Sequence, residues 1–152
     1  DGSYDIYSYP SGDAENIIDN LTSTDEATPE KVSVLSSDAD DKCPYISTND
    51  YIWATDPNIN YMAQGFMVFA SNRSGGCGGF DLYYSMRLNG EWTEPVNFGP
   101  DINTEYNEYR PVVKQVWEFE NDLMFFSSDR PDGKGGYDLY YTGIEKIEDR
   151  FE

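Results

Sequence analysis

Residues Phe66 to Tyr84, FMVFASNRSGGCGGFDLYY, return 57 positions later as LMFFSSDRPDGKGGYDLYY, Leu123 to Tyr141, without a gap and with eleven of nineteen positions identical. Self-similarity at a period near 50 residues marks stacked supersecondary units, each burying its apolar face against the next. The chain is thereby constrained to an array of like units. What each unit contains follows from the residues between the Gly-rich turns.

Thirteen Tyr, eight Phe and three Trp suit a pleated, half-buried surface, so the units are expected to be all-β. In the second copy Tyr109 to Val116, Asp122 to Ser128 and Tyr137 to Thr142 read as strands. Between the copies, Asn89-Gly90 is a turn signal, Trp92 to Asn97 a strand, and Gly99-Pro100 an exit. One unit is then four antiparallel strands: A (Arg110 to Val116), B (Leu123 to Ser128), C (Asp138 to Thr142), and a D strand of which the Trp92 segment is the preceding copy's example. The first copy follows the plan, with Asp41-Lys42-Cys43-Pro44 matching Glu108-Tyr109-Arg110-Pro111 and a longer A-to-B connection that holds Tyr51 to Gly65.

Asp5-Ile6-Tyr7 followed by Ser11-Gly12 is a weaker copy of Asp81-Leu82-Tyr83 followed by Asn89-Gly90, so the chain enters in the middle of a unit. Asn16 to Thr22 would be the D strand that follows. Asp13 to Asp41 carries nine acids and one Lys and reads as an irregular, solvated connection. The expected organisation is a single domain over 1–152, about two to two and a half units. It comprises a partial unit with an acidic connection (5–40), a full unit (41–98), and a second (108–142). Residues 143–152 complete that last unit if Ile144 to Phe151 forms a D strand rather than a helical tail.

The net charge of -19 repels phosphate backbones and argues against nucleic acid as a partner. No run approaches 18 apolar residues, so no membrane-spanning helix is expected. The chain has no histidine, which removes Ser-His-Asp and Cys-His catalysis and imidazole metal sites, and no cofactor motif is present. Carboxylate pairs remain for glycosidase-type chemistry, but no spacing singles one out, and the chain is read as not an enzyme.

Asp129, Asp132 and Asp138 surround a Gly-rich turn and could offer oxygens to Ca²⁺. The matching first-copy residues are Asn72, Gly75 and Asp81, so two of the three carboxylates are not repeated and a structural loop is the stronger reading. Tyr51, Trp53 and Tyr61, in the connection that the second copy lacks, are candidates for a partner or sugar surface. A start at Asp1 rather than Met suggests a processed or trimmed chain.

FASNR-x-GG-x-GGFDLYY, W-x-x-P-V-N-F-G, INT-x-x-N-E-x-x-P and FFSSDR-x-x-G-x-GGYDLYY together resemble the WD40-like propeller repeats of the PD40 family, related to the TolB propeller. The resemblance covers about Asp41 to Tyr141. It implies four-stranded propeller-type blades with A nearest the central axis. In that role Asp81 and Asp138 would accept loop N–H groups, Ser71, Ser128, Arg73 and Arg130 would tie loop to strand, and Trp92 would be packing. Asp41 would pair with Arg73 and Glu108 with Arg130. Cys43 and Cys77 would share one face of a blade, where a disulfide is a candidate.

A closed propeller needs four to eight blades. Either several chains complete a ring as a homo-oligomer, or the chain is a piece of a longer protein, or it closes in an unusual compact way. The family implies an extracytoplasmic component of the bacterial envelope, in the periplasm or at the cell surface and sometimes a lipoprotein. Its expected role is a non-catalytic protein-binding scaffold; the alternative is a carbohydrate-binding or glycan-processing accessory module.

Overall fold

The repeat folds as antiparallel sheets because each Gly-rich turn reverses the chain between two alternating aromatic runs. The computed structural model describes residues 4–9, 22, 28–47, 65–116, 118–131 and 133–146, and the elements within them are ten β-strands. A short pair comes first, β1 (Tyr7–Ser8) with β2 (Glu30–Lys31). The first sheet follows in the order β3 (Asp41–Ser47), β4 (Gly65–Ser71), β5 (Asp81–Leu88), with β6 (Glu91–Trp92) and β7 (Val96–Asn97) both paired to β5. The second sheet is β8 (Glu108–Lys114), β9 (Asp122–Ser128) and β10 (Asp138–Ile144). The described residues form open sheets rather than a closed ring, and they include no helix long and apolar enough to cross a membrane.

Strands A to C lie where the sequence places them to within two residues at each end, whereas the D strand is broken. Trp92 pairs with Arg87 and Val96 with Tyr84; between them Thr93 N–H still donates to the Met86 carbonyl, but its hydroxyl takes the Met86 N–H and its carbonyl the Ser85 hydroxyl, so the regular ladder lapses between β6 and β7. The acidic connection is also more ordered than expected. Glu30 and Lys31 pair with Ser8 and Tyr7, and Lys31 reaches Asp5 at 2.8 Å. Residues 16–21 of the expected D strand lie outside the described residues, and Thr22 is in no strand.

A β-bulge interrupts the A strand of both units, between Lys42 and Tyr45 and between Tyr109 and Val112. Cys43 (φ 54°) and Arg110 (φ 52°), each just before a proline, adopt left-handed backbone there. Non-glycine residues rarely occupy that region, and two at matched positions mark a designed feature of the unit.

The first sheet is covered on both faces, so all seven residues of β4 are buried. Phe66, Val68, Ala70 and Leu82 pack on Val113, Met124, Phe126 and Ile144 of the second sheet. Met67, Phe69 and Tyr83 pack on Ile6 and Leu35. Each large side chain so buried contributes about 2 kcal/mol. The second sheet has one covered face only: along β9 buried and half-buried residues alternate, and Val112, Leu139 and Tyr141 on its outer side are 45, 77 and 74% exposed.

Candidate functional site

The buried charges of the repeat are built twice from the same parts. Arg73 Nη2 donates to Asp41 at 2.6 Å and to the Leu35 carbonyl at 2.8 Å, while its Nε donates to Ser71. Arg130 Nη2 donates to Glu108 at 2.9 Å and to the Ile102 carbonyl at 3.2 Å, with Nε on Ser128. Both expected ion pairs are therefore present. Each carboxylate also takes the N–H and hydroxyl of the residue four positions earlier, Ser37 for Asp41 and Thr104 for Glu108. Asp81 accepts from Cys77 N–H, Gly78 N–H and Asn97 Nδ2, and Asp138 from Lys134 and Gly135 N–H. These oxygens are occupied by protein donors, as a scaffold requires.

A second set of contacts joins one unit to the next, and it too is duplicated. Ser36 Oγ accepts from Ile6 N–H and donates to Ile6 C=O, at 3.2 and 3.4 Å. Asn103 serves Leu82 in the same way, at 2.7 and 3.0 Å. Asp40 accepts the Tyr4 N–H and Asn107 accepts the Phe80 N–H. Asp41 N–H donates to Tyr4 C=O and Glu108 N–H to Phe80 C=O. The segments responsible, LSSDADD (Leu35 to Asp41) and INTEYNE (Ile102 to Glu108), share only the pattern apolar, Ser/Asn, Ser/Thr, two variable, Asp/Asn, Asp/Glu. The expected pairs drew on its last position alone; the rest is chemical rather than literal similarity and was missed.

Beside these contacts lies an open groove of about 590 Å³ lined by Lys42, Cys43, Tyr109, Arg110, Ser127, Tyr137, Asp138 and Leu139. Both bulges contribute to it, so the left-handed residues Cys43 and Arg110 aim side chains that regular strand would place elsewhere. Lys42 sits over the Tyr4 and Phe80 rings at 4.3 and 4.8 Å, and Tyr109 continues the stack between Phe80 and Tyr137 at 4.6 and 5.7 Å. Burial, with the neighbouring Tyr137 phenol next, pushes the Tyr109 hydroxyl up to about 12. Lys42 is paired with Asp40 at 2.8 Å, whereas no carboxylate among the described residues pairs with the exposed Arg110. In a chain of net charge -19 the groove thus gathers two cations and two tyrosines beside a single carboxylate, Asp138.

Cys43 and Cys77 are free thiols, so the expected disulfide is not formed. Cys43 sits on the β-bulge and lines the groove, whereas Cys77 lies exposed in the β4–β5 loop and is not among the groove's lining residues. Of the Ca²⁺ candidates, Asp129 instead accepts both the N–H and Nδ2 of Asn107, bonds that hold its carboxyl below the usual range, and Asp132 lies outside the described residues. No metal-holding cluster occurs among the described residues. Trp92 is half-buried against the Met67–Phe69–Tyr83 cluster. Tyr51, Trp53 and Tyr61 lie outside the described residues.

No protein-family profile, no curated protein and no solved structure matches this chain.

Proposed function

We propose that the chain is a non-catalytic protein-binding scaffold of the bacterial envelope, working outside the cytoplasm, whose units are four-stranded WD40-like propeller blades. The observation that carries this reading is the contrast between occupied and open chemistry. The buried carboxylates Asp41, Asp81 and Glu108 are saturated by internal donors, while in the groove beside them Arg110 has no carboxylate partner among the described residues. A cation flanked by aromatic rings suits a peptide carboxylate and its apolar neighbours, because Arg and Tyr give contact area at low entropic cost. The acidic remainder of the surface would repel acidic chains elsewhere and so favour this one groove.

Array binding with acidic and neutral peptides, repeated on Arg110→Glu, tests the reading. Binding of acidic peptides that Arg110→Glu loses supports it. Saturable sugar binding with no peptide binding would replace it with the carbohydrate reading.

A further inference from the structure

The two junctions described above place each unit's C strand under the next unit's docking segment. Ile6 is held by Ser36, and Leu82 by Asn103. Leu139 stands in the third corresponding place: it pairs with Ser127 as Leu82 pairs with Ala70, so its N–H and C=O point to the same open edge. Among the described residues nothing occupies that edge. The ring stack tells the same story, for Tyr4, Lys42, Phe80, Tyr109 and Tyr137 run in order through the successive units and the run stops at Tyr137, 51% exposed. The outer apolar face agrees with both, since Phe125, Leu139 and Tyr141 match Val68, Leu82 and Tyr84, which the second sheet covers.

An independent observation comes from the glycines. A Cβ at Gly78 would run into the Thr104 and Tyr106 carbonyls, and one at Gly79 into the Asn107 side chain, so glycine is required there by the docking of the next unit. Gly135 and Gly136 hold the same places in the second copy, yet nothing lies within 4 Å of a Cβ at either, and neither has positive φ. No local demand explains these two glycines; clearance for an incoming backbone does.

We infer that the Gly135–Leu139 edge and the outer face of the second sheet form a docking site for a further unit of this same repeat. That unit would present the segment apolar, Ser/Asn, Ser/Thr, two variable, Asp/Asn, Asp/Glu. Its Ser or Asn side chain binds both backbone groups of Leu139. Its Asp or Asn accepts the Tyr137 N–H, its last acidic residue donates a backbone N–H to the Tyr137 carbonyl, and its A strand covers Leu139 and Tyr141. Strand-edge capture of this kind takes affinity from main-chain bonds and specificity from side-chain pockets. The inference rests on the binding-module reading and names the partner class.

The test is amide hydrogen exchange of the whole 152-residue chain, followed by NMR, with a peptide of residues 99–116 added in excess. Saturable slowing of the Tyr137 and Leu139 amides, by about tenfold or more, is expected, with none from the same peptide carrying Asn103→Ala. Leu139→Asp in the chain, at an exposed position, should abolish the effect while leaving the Leu82 amide protected. No slowing at millimolar peptide, or equal slowing by the Asn103→Ala peptide, overturns the inference. Concentration-dependent protection of Leu139 in the chain alone, lost in Leu139→Asp, would support it with a second copy as the carrier of that unit. Failure here alongside Arg110-dependent binding of acidic peptides would leave the binding-module reading standing.

Discussion

Asn103 holds Leu82 by both of its backbone groups, accepting the N–H at 2.7 Å through Oδ1 and donating to the carbonyl at 3.0 Å through Nδ2. It is 1% exposed, so no water replaces it. Asn103→Ala is expected to cost about 2 kcal/mol, the consequence of orphaning the buried Leu82 N–H, since the Leu82 carbonyl keeps the Phe98 N–H at 3.2 Å. Asn103→Asp should cost at least as much, because a carboxylate oxygen would then face the Leu82 carbonyl and Asn97 Oδ1 where an amide now donates. Urea unfolding of the two variants measures both, and a cost under about 0.5 kcal/mol for Asn103→Ala would remove this bond from the account of the junction.

Arg130 is the only described side chain that brings positive charge to the buried Glu108. Arg130→Met should therefore destabilise by about 3–5 kcal/mol, because it leaves an uncompensated carboxylate inside the fold. Adding Glu108→Gln should recover part of that loss, since the Thr104 hydroxyl still has an oxygen to bond and no charge remains to be desolvated. If the double variant were less stable than Arg130→Met alone, the pair could not be the reason for the loss.

The strands were legible in the sequence because their periodicity and Gly-rich turns are local signals, and the Asp41–Arg73 and Glu108–Arg130 pairs because the propeller resemblance assigns those residues complementary places. The junctions were not, because LSSDADD and INTEYNE share function at each position with little identity, and they lie 67 rather than 57 residues apart. The split of the D strand was hidden for a different reason: it depends on Thr93 competing with the ladder for Met86, a choice decided between segments. Cys43 and Arg110 gave no warning of left-handed backbone, since a residue before proline ordinarily prefers extended conformations.

Stability should fall at both ends of the pH range for separable reasons. Asp129 is held below its ordinary 3.8 by its two bonds from Asn107, so the stability it brings is present above that value and is lost as pH falls through the lower folded one. Tyr109, raised from 10.0 to about 12 by burial, is stabilising below pH 10 and loses that contribution as pH climbs to about 12. Tyr109→Phe keeps the rings against Phe80 and Tyr137. It should leave stability at pH 8 nearly unchanged and make the alkaline decline shallower. An unaltered alkaline limb in denaturant titrations would exclude Tyr109 as a source of it.

Two free thiols should take up two equivalents of iodoacetamide without a reductant, read as intact mass. Burial and the charges of Asp81 and Glu108 push the Cys77 thiol above 9.0, so in the native chain at pH 8 it should react more slowly than in the unfolded one, and the difference should narrow as pH rises. A chain two hydrogens lighter that alkylates only after reduction would restore the disulfide.

Gly78 and Gly135 occupy the same place in two copies of one motif, yet they should respond oppositely to the same substitution. At Gly78 the added methyl meets the backbone carbonyls of Thr104 and Tyr106, which cannot rotate aside as a side chain would. Gly78→Ala must therefore push the second unit off the first, at a cost of about 2–3 kcal/mol and with weakened protection of Leu82. At Gly135 the methyl meets nothing and the backbone is not left-handed, so Gly135→Ala should be neutral or stabilise by about 0.5 kcal/mol through the unfolded state. The same variant should lose the slowing of Tyr137 and Leu139 exchange by the 99–116 peptide, since the space that accepts the incoming backbone is then filled. Retention of that slowing in a well-folded Gly135→Ala chain would show that the glycine is not there for a partner.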